Sequence, residues 1–140
     1  MRIAIIIITF IWVGFVLGIS FLEAPLKFTA PDITLALGLG IGRIVFGALN
    51  KIEIVFSIFI LISFLICKFS FKHHFLYLLA FFIVFIQSVW LIPILDERAG
   101  LIISGQEVEK TSHHVIYIII ELLKVIFLIL AGIRFLKTSI

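Results

Sequence analysis

In the stretch HHVIYIIIELLK, residues 113–124, the polar positions His114, Tyr117, Glu121 and Lys124 recur at spacings of three, four and three. On an α-helix those intervals put all four on one face. Glu121 falls about 10 Å along the axis from His114 at 1.5 Å rise per residue, and a base three residues on can pair with it. Three further stretches offer similar faces: Ser20, Glu23 and Lys27; Asn50, Glu53 and Ser57; and Gln87 with Trp90, leading to Pro93, Asp96 and Arg98. Glu53 and Glu121 are the two carboxylates from which acid–base chemistry could be built. Lys124 or Arg43 would instead neutralise them, giving an ion-pair lock. His113 and His114 are adjacent, so on a helix they point about 100° apart and share one metal ion poorly. His73 and His74 fall at the opposite end of their span. HExxH, phosphate-loop and serine-elbow patterns are absent from the sequence, and no cofactor, haem or metal site is expected.

These residues are sparse polar groups in a chain that is 64% hydrophobic and only 14% charged, with a mean hydropathy of +1.38. Soluble domains carry roughly 25% charged residues, and a core of this size could not hide sixteen Phe and the long Ile/Leu runs. Lipid is therefore the expected solvent. Four runs approach the ~20 residues needed to cross a bilayer, at about 3–22, 50–67, 75–95 and 114–135, forming one transmembrane domain over 1–140. The first follows Arg2 and has no small-x-small cleavage site after it, so it reads as a retained helix rather than a signal peptide. Charged groups within such spans are expensive, by ~2.5–3.5 kcal/mol at a helix centre, and are expected to face protein or water. Convergence of polar faces from four spans predicts a shared mixed-charge cavity, or a polar lock, formed by Arg43, Asn50, Glu53, Gln87, Trp90, Asp96, Arg98, His114, Tyr117, Glu121 and Lys124.

The expected fold is all-α, an integral membrane four-helix bundle with an interfacial or re-entrant Gly-rich segment between spans one and two. That segment, ITLALGLGIGRIVFGALN, holds glycines at 38, 40, 42 and 47; a fifth span is the alternative. The Ala-Pro pairs of EAPLKFTAPD disfavour helix at the residues before proline, and Asp32 is expected to cap a new helix beginning after it. Thr111 or Ser112 should cap span four. The short basic linker KFSFKHH makes spans two and three antiparallel neighbours. Gly14 and Gly18 form a GxxxG for close helix approach, Trp12 reads as lipid-facing, and Cys67 as a buried structural thiol.

With four spans, one side holds Arg2, Lys68, Lys72, Arg134 and Lys137, and the other holds all eight acids. Lys and Arg nearest the span ends place both termini in the cytoplasm, in a multi-pass protein of a bacterial inner or plasma membrane. No basic stripe with interleaved aromatics points to nucleic acid; the partners expected are membrane lipid and a second copy of the chain.

Four stretches, APLKF, GRIVFGALNKIE, QSVWLIPILDERAG and SHHVIYIIIELLK, give the chain a resemblance to small four-helix bacterial membrane proteins of uncharacterised function, themselves distantly similar to eukaryotic transmembrane protein 205. The resemblance implies a four-helix membrane protein with polar groups near the helix ends. It carries over Pro25, Phe28, Arg43, Phe46, Asn50, Glu53, Pro93, Arg98, His114 and Glu121. Three functional classes stay open: binding or transport of an ion, small polar solute or lipid headgroup; an accessory or structural subunit; and a membrane enzyme acting on lipid or quinone. The sequence favours a non-enzymatic role over an enzymatic one.

Overall fold

Hydrocarbon leaves the backbone no water to bond, so apolar runs of this length close their hydrogen bonds internally as helices. In the computed structural model, which describes residues 1–67 and 71–137 and all of their side chains except those of 71–73, they do so four times. The helices are α1 (Arg2–Thr29), α2 (Leu35–Cys67), α3 (His74–Ile103, helical from Phe71) and α4 (His113–Lys137), each long and apolar enough to cross a membrane. Arg2 lies over the ring of Phe135 at 5.9 Å, so the start of α1 and the end of α4 share one end of the bundle. Large apolar side chains such as Ile3, Ile44, Leu65, Phe82 and Val115 point outward, as lipid-facing surfaces require.

Two packing regimes divide the bundle. Towards the terminal end, α4 packs against α1 and the first half of α3, around Ile5, Trp12, Ile60, Tyr77, Leu128 and Phe135. Thr9 and Tyr77 share a 2.8 Å hydrogen bond inside this core. At the opposite end α2 packs chiefly on the second half of α3, from Ile92 onward. Here α4 stands further off, and space opens between the helices.

Both membrane prolines come after stretches of wide, π-type helix. Leu17–Glu23 in α1 precedes Pro25, and Gln87–Leu91 in α3 precedes Pro93. The amide of Ala24 reaches back five residues to Ile19, and that of Ile92 to Gln87. Proline cannot donate and its ring crowds the carbonyl four residues back; a wide turn lets the helix run on past it. Such turns also re-aim side chains, and these two carry Ser20 and Gln87. As a result EAPLKF, expected to leave the helix, continues it to Thr29 through a final 3₁₀ turn at Lys27–Thr29.

The Gly-rich segment is not a separate re-entrant element. It forms the first half of α2, a continuous helix of 33 residues, about 50 Å long and well over the ~30 Å of a hydrocarbon core. Its glycines have a packing role: Gly38 and Gly42, four apart, form a strip against which consecutive α1 residues lie. A Cβ at Gly38 would meet the Phe28 ring at 2.2 Å, and one at Gly42 the Lys27 ammonium at 3.1 Å. Asp32 does not cap α2. It takes the left-handed turn conformation at φ 60°, which Asp tolerates better than most residues. The cap is Thr34, whose Oγ1 accepts from the amide of Leu37 at 3.1 Å.

α4 opens at His113, directly after Ser112. Cys67 is a half-buried free thiol rather than a fully buried one. The basic linker expected at 68–74 lies, apart from His74, outside the described residues or side chains. Among the described residues nothing lies within 4 Å of a Cβ built at Gly14 or Gly18, so the GxxxG forms no seam with them.

Thr34→Ala should lower stability by about 1 kcal/mol, the usual value of an N-cap, whereas Thr34→Ser should keep it. Unfolding in mixed micelles reads the difference. Equal loss in both variants would mean that the capping oxygen contributes nothing.

Candidate functional site

The polar faces meet, but they build two compartments rather than one mixed cavity. The deeper is a closed charge cluster. Lys124 of α4 ion-pairs with Glu53 of α2 and, at 2.8 Å, with Glu121 one turn away on its own helix. Its ammonium also donates to Oε1 of Gln87 on α3 at 2.8 Å, and Gln87 Nε2 in turn donates to Glu121 Oε1 at 2.8 Å. The Trp12 indole of α1 donates to Glu53 Oε1 at 2.9 Å. All four helices thus contribute a group. Exposure is 0% for Lys124, Glu121 and Gln87 and 1% for Glu53. Glu53 lies about 27 Å along α2 from its start and about 21 Å from its end, deep within the span.

Above this cluster, towards the end remote from the termini, a half-open cavity of about 440 Å³ separates the helices. Its walls are mainly apolar, including Phe21, Leu39, Phe46, Ile92, Leu95 and Ile118. Phe46 and Tyr117 meet edge to face with centroids 5.5 Å apart. Ser20, Tyr117 and Glu121 form the polar part of the lining nearest the cluster. Ser20 donates to Glu121 Oε2 across 3.4 Å, a long contact for a hydroxyl donor. Arg43 and Asp96, also in the lining, form a two-pronged pair across α2 and α3 at 2.7 and 2.9 Å. It is 39% and 46% exposed on its two sides, so it is a solvent-screened clamp. His114 and Lys27 complete the polar rim.

Glu53, Gln87, Glu121 and Lys124 are therefore brought together, and Arg43, Asp96, His114, Tyr117 and Glu121 line the cavity. Three expected members are elsewhere. Asn50 exchanges hydrogen bonds with Ser88 at 2.9 and 3.2 Å, tying α2 to α3. Trp90 is 44% exposed and stands edge-on to His113 at 6.1 Å. Arg98 donates to the backbone oxygen of Glu109, pinning the connection between α3 and α4. Among the described residues, no three His, Cys, Asp or Glu side chains cluster closely enough to hold a metal ion.

No family model, curated protein or solved structure matches this chain. Its chemistry has to be read from the two compartments themselves.

Sequence reasoning missed or misplaced several contributors. Trp12, expected to face lipid, is wholly buried and bonded to Glu53. The available signal was the run Ile5, Thr9, Trp12, Val16, whose spacings of four, three and four mark an inward face. Lys27, read with Ser20 and Glu23 as the polar face of the first span but left out of the expected lining, lines the cavity. The glycine strip at 38 and 42 carried a signal too, since two glycines four apart favour close approach.

Removing one partner of a buried ion pair costs ~3–5 kcal/mol, because the remaining charge is stranded. Lys124→Met strands two carboxylates and should destabilise by about that amount. Adding Glu53→Gln and Glu121→Gln to Lys124→Met should restore most of the loss. Thermal and chemical unfolding in micelles would measure both; a Lys124→Met protein as stable as the parent would refute the neutralising role.

Proposed function

We propose that the protein is a membrane-embedded binder of an amphipathic, lipid-derived ligand, taken into the cavity at the end remote from the termini. One observation carries the reading: a half-open space of about 440 Å³ whose walls are largely hydrocarbon and whose polar groups are few and convergent. Small-molecule sites are of that kind, roughly 300–1,000 Å³, apolar, with a few placed polar groups. An ion or a small zwitterion fits such walls less well than a molecule with its own apolar part.

Binding is favoured over conduction by the layers beneath the cavity. The charge cluster spans all four helices with essentially no exposed surface, and below it Ile5, Ile60, Tyr77 and Leu128 are completely buried. A permeating solute would have to cross both layers. By the Lys/Arg distribution the termini are cytoplasmic and the cavity faces the outer side of a bacterial plasma membrane. The resemblance to four-helix bacterial membrane proteins is consistent with that placement and adds no activity.

An accessory, structural role suits a different set of residues. The Lys124 ammonium has all three donors engaged in a buried cluster, which specifies how the helices pack. The structural and binding readings thus apply to two neighbouring compartments of one molecule.

Gly47 provides the test. It lines the cavity, and a Cβ there would find open space within 4 Å. Gly47→Leu should project its side chain into the cavity from a Cβ that meets nothing within 4 Å, and the gain of replacing a helical glycine, ~0.8–1 kcal/mol worse than Ala, should offset the cost of repacking. Native mass spectrometry of protein extracted from membranes should find a co-purifying lipid-sized adduct on the parent chain and its loss from Gly47→Leu. No adduct on either protein after mild extraction, or equal adducts on both, would overturn the reading.

A further inference from the structure

The cavity contains a cation whose surroundings specify the ligand's headgroup. Lys27 is nine-tenths buried, with 10% of its side chain exposed. Its one carboxylate neighbour among the described residues is Glu23, at 3.5 Å. That separation exceeds an ordinary charged hydrogen bond of ~2.7–2.9 Å, and the facing oxygen, Glu23 Oε2, is buried without a hydrogen-bond partner. Among the described residues the Lys27 ammonium makes no hydrogen bond, although it has three donors. Its surroundings are instead aromatic and backbone. The ammonium lies 5.7 Å from the Phe28 ring centroid and 5.4 Å from that of Phe46, over the bare backbone of Gly42. Two rings stabilise a cation modestly, by ~0.5–1 kcal/mol each at exposed sites, and leave its donors open.

The other cations near the cavity differ in this respect. Arg43 is committed to Asp96 by two bonds, and Lys124 to Glu53, Glu121 and Gln87 in the closed cluster. Lys27 alone among these three presents unused donors to the space. Its height also fits. It sits about 37 Å along α1 from Arg2 at 1.5 Å rise, beyond a ~30 Å hydrocarbon core and at headgroup level.

Resting on the reading of the cavity as a ligand site, we infer that its ligand is an acidic amphiphile, a phosphate- or carboxylate-headed molecule with one apolar chain, anchored at Lys27. The acidic oxygens take the open donors of the Lys27 ammonium. The chain lies against Phe46, Leu39, Ile92 and Leu95.

The test compares headgroups on a common chain. Protein in phosphatidylcholine nanodiscs at pH 8 is titrated with dodecyl phosphate, dodecanoate, dodecanol and inorganic phosphate, with binding read by thermal shift and native mass spectrometry. The two acids should bind at least tenfold more tightly than dodecanol, as expected for a hydrogen bond to a charged group. Inorganic phosphate should bind more weakly than dodecyl phosphate. Lys27→Gln should abolish the preference for acids while retaining dodecanol binding, and Lys27→Arg should keep the preference. Dodecanol binding as tightly as the acids would overturn the headgroup assignment and leave the cavity reading standing. Binding of no amphiphile, or undiminished binding in Gly47→Leu, would remove both. Inorganic phosphate binding as tightly as dodecyl phosphate would overturn the amphiphile class. If Lys27→Gln fails to fold, the ranking in the unmodified protein still decides.

Discussion

One ammonium, that of Lys124, holds the four helices in register. It contacts Glu53 on α2, Gln87 on α3 and Glu121 on α4, while Trp12 brings α1 to the same carboxylate. The energetic weight of this arrangement is asymmetric. Individual hydrogen bonds between membrane helices average only ~0.6 kcal/mol, so making the cluster gains little over apolar packing. Leaving any charge unpaired in hydrocarbon costs several times as much. Alternative rotations or vertical shifts of a helix are therefore penalised far more than the native one is rewarded. The cluster works as a registration device: a slip by one residue turns a helix by about 100° and would carry its contributor out of reach.

The cavity results from that fixed point together with the two wide turns and the glycine strip. Lys124 gathers the helices at mid-depth; above it, Pro25 and Pro93 are accommodated by loosened turns that end at Glu23 and Leu91. α1 is carried past its proline to place Lys27 and Phe28 over Gly42 and Gly38 of α2. Small residues there let the end of α1 lie close to α2, and the Arg43–Asp96 pair ties α2 to α3. With α2 and α3 joined on one side and α1 drawn onto α2, the space bounded by α4 stays unfilled by side chains. A close-packed bundle would have needed larger residues at Gly47 and Ala99, both of which line the opening.

Much of this was legible in the sequence, for identifiable reasons. Long apolar runs announce membrane helices because the bilayer fixes their length. The three-four-three spacing in α4 correctly grouped His114, Tyr117, Glu121 and Lys124 on one face. That face does not serve one site, however, because ten residues of helix span about 15 Å of depth. Lys124 therefore reaches the closed cluster while His114 stays at the cavity rim. Periodicity gives azimuth but leaves neighbours at each depth unspecified, and the partners of Lys124 depend on the heights of three other helices. Asn50, Trp90 and Arg98 failed to join the cavity on the same grounds: each had a suitable chemistry and level, but a closer partner or an outward direction claimed it. The extension of α1 to Thr29 was hidden because Pro25 reads as a stop unless a wide turn precedes it. The continuity of α2 was hidden because glycine lowers helix propensity in water by ~1 kcal/mol, a preference that hydrocarbon overrides by leaving unbonded amides nowhere to go.

Glu121 is the residue in which the two compartments meet. Its Oε1 accepts from both Lys124 and Gln87 at 2.8 Å, while Oε2 turns to Ser20 at the cavity lining and is held there only at 3.4 Å. The two oxygens of one carboxylate thus have unequal commitments. The first is bound to the structural cluster on short charge-assisted contacts, the stronger class of hydrogen bond; the second is met by the Ser20 hydroxyl at the edge of bonding range, with the Tyr117 hydroxyl also beside the carboxylate. A donor entering the cavity would compete with Ser20 for the weakly held oxygen without displacing Lys124 from the other. The partition explains how a structural lock and a cavity can share one side chain: the cation holds the oxygen that faces the core, and the other oxygen faces the space above it.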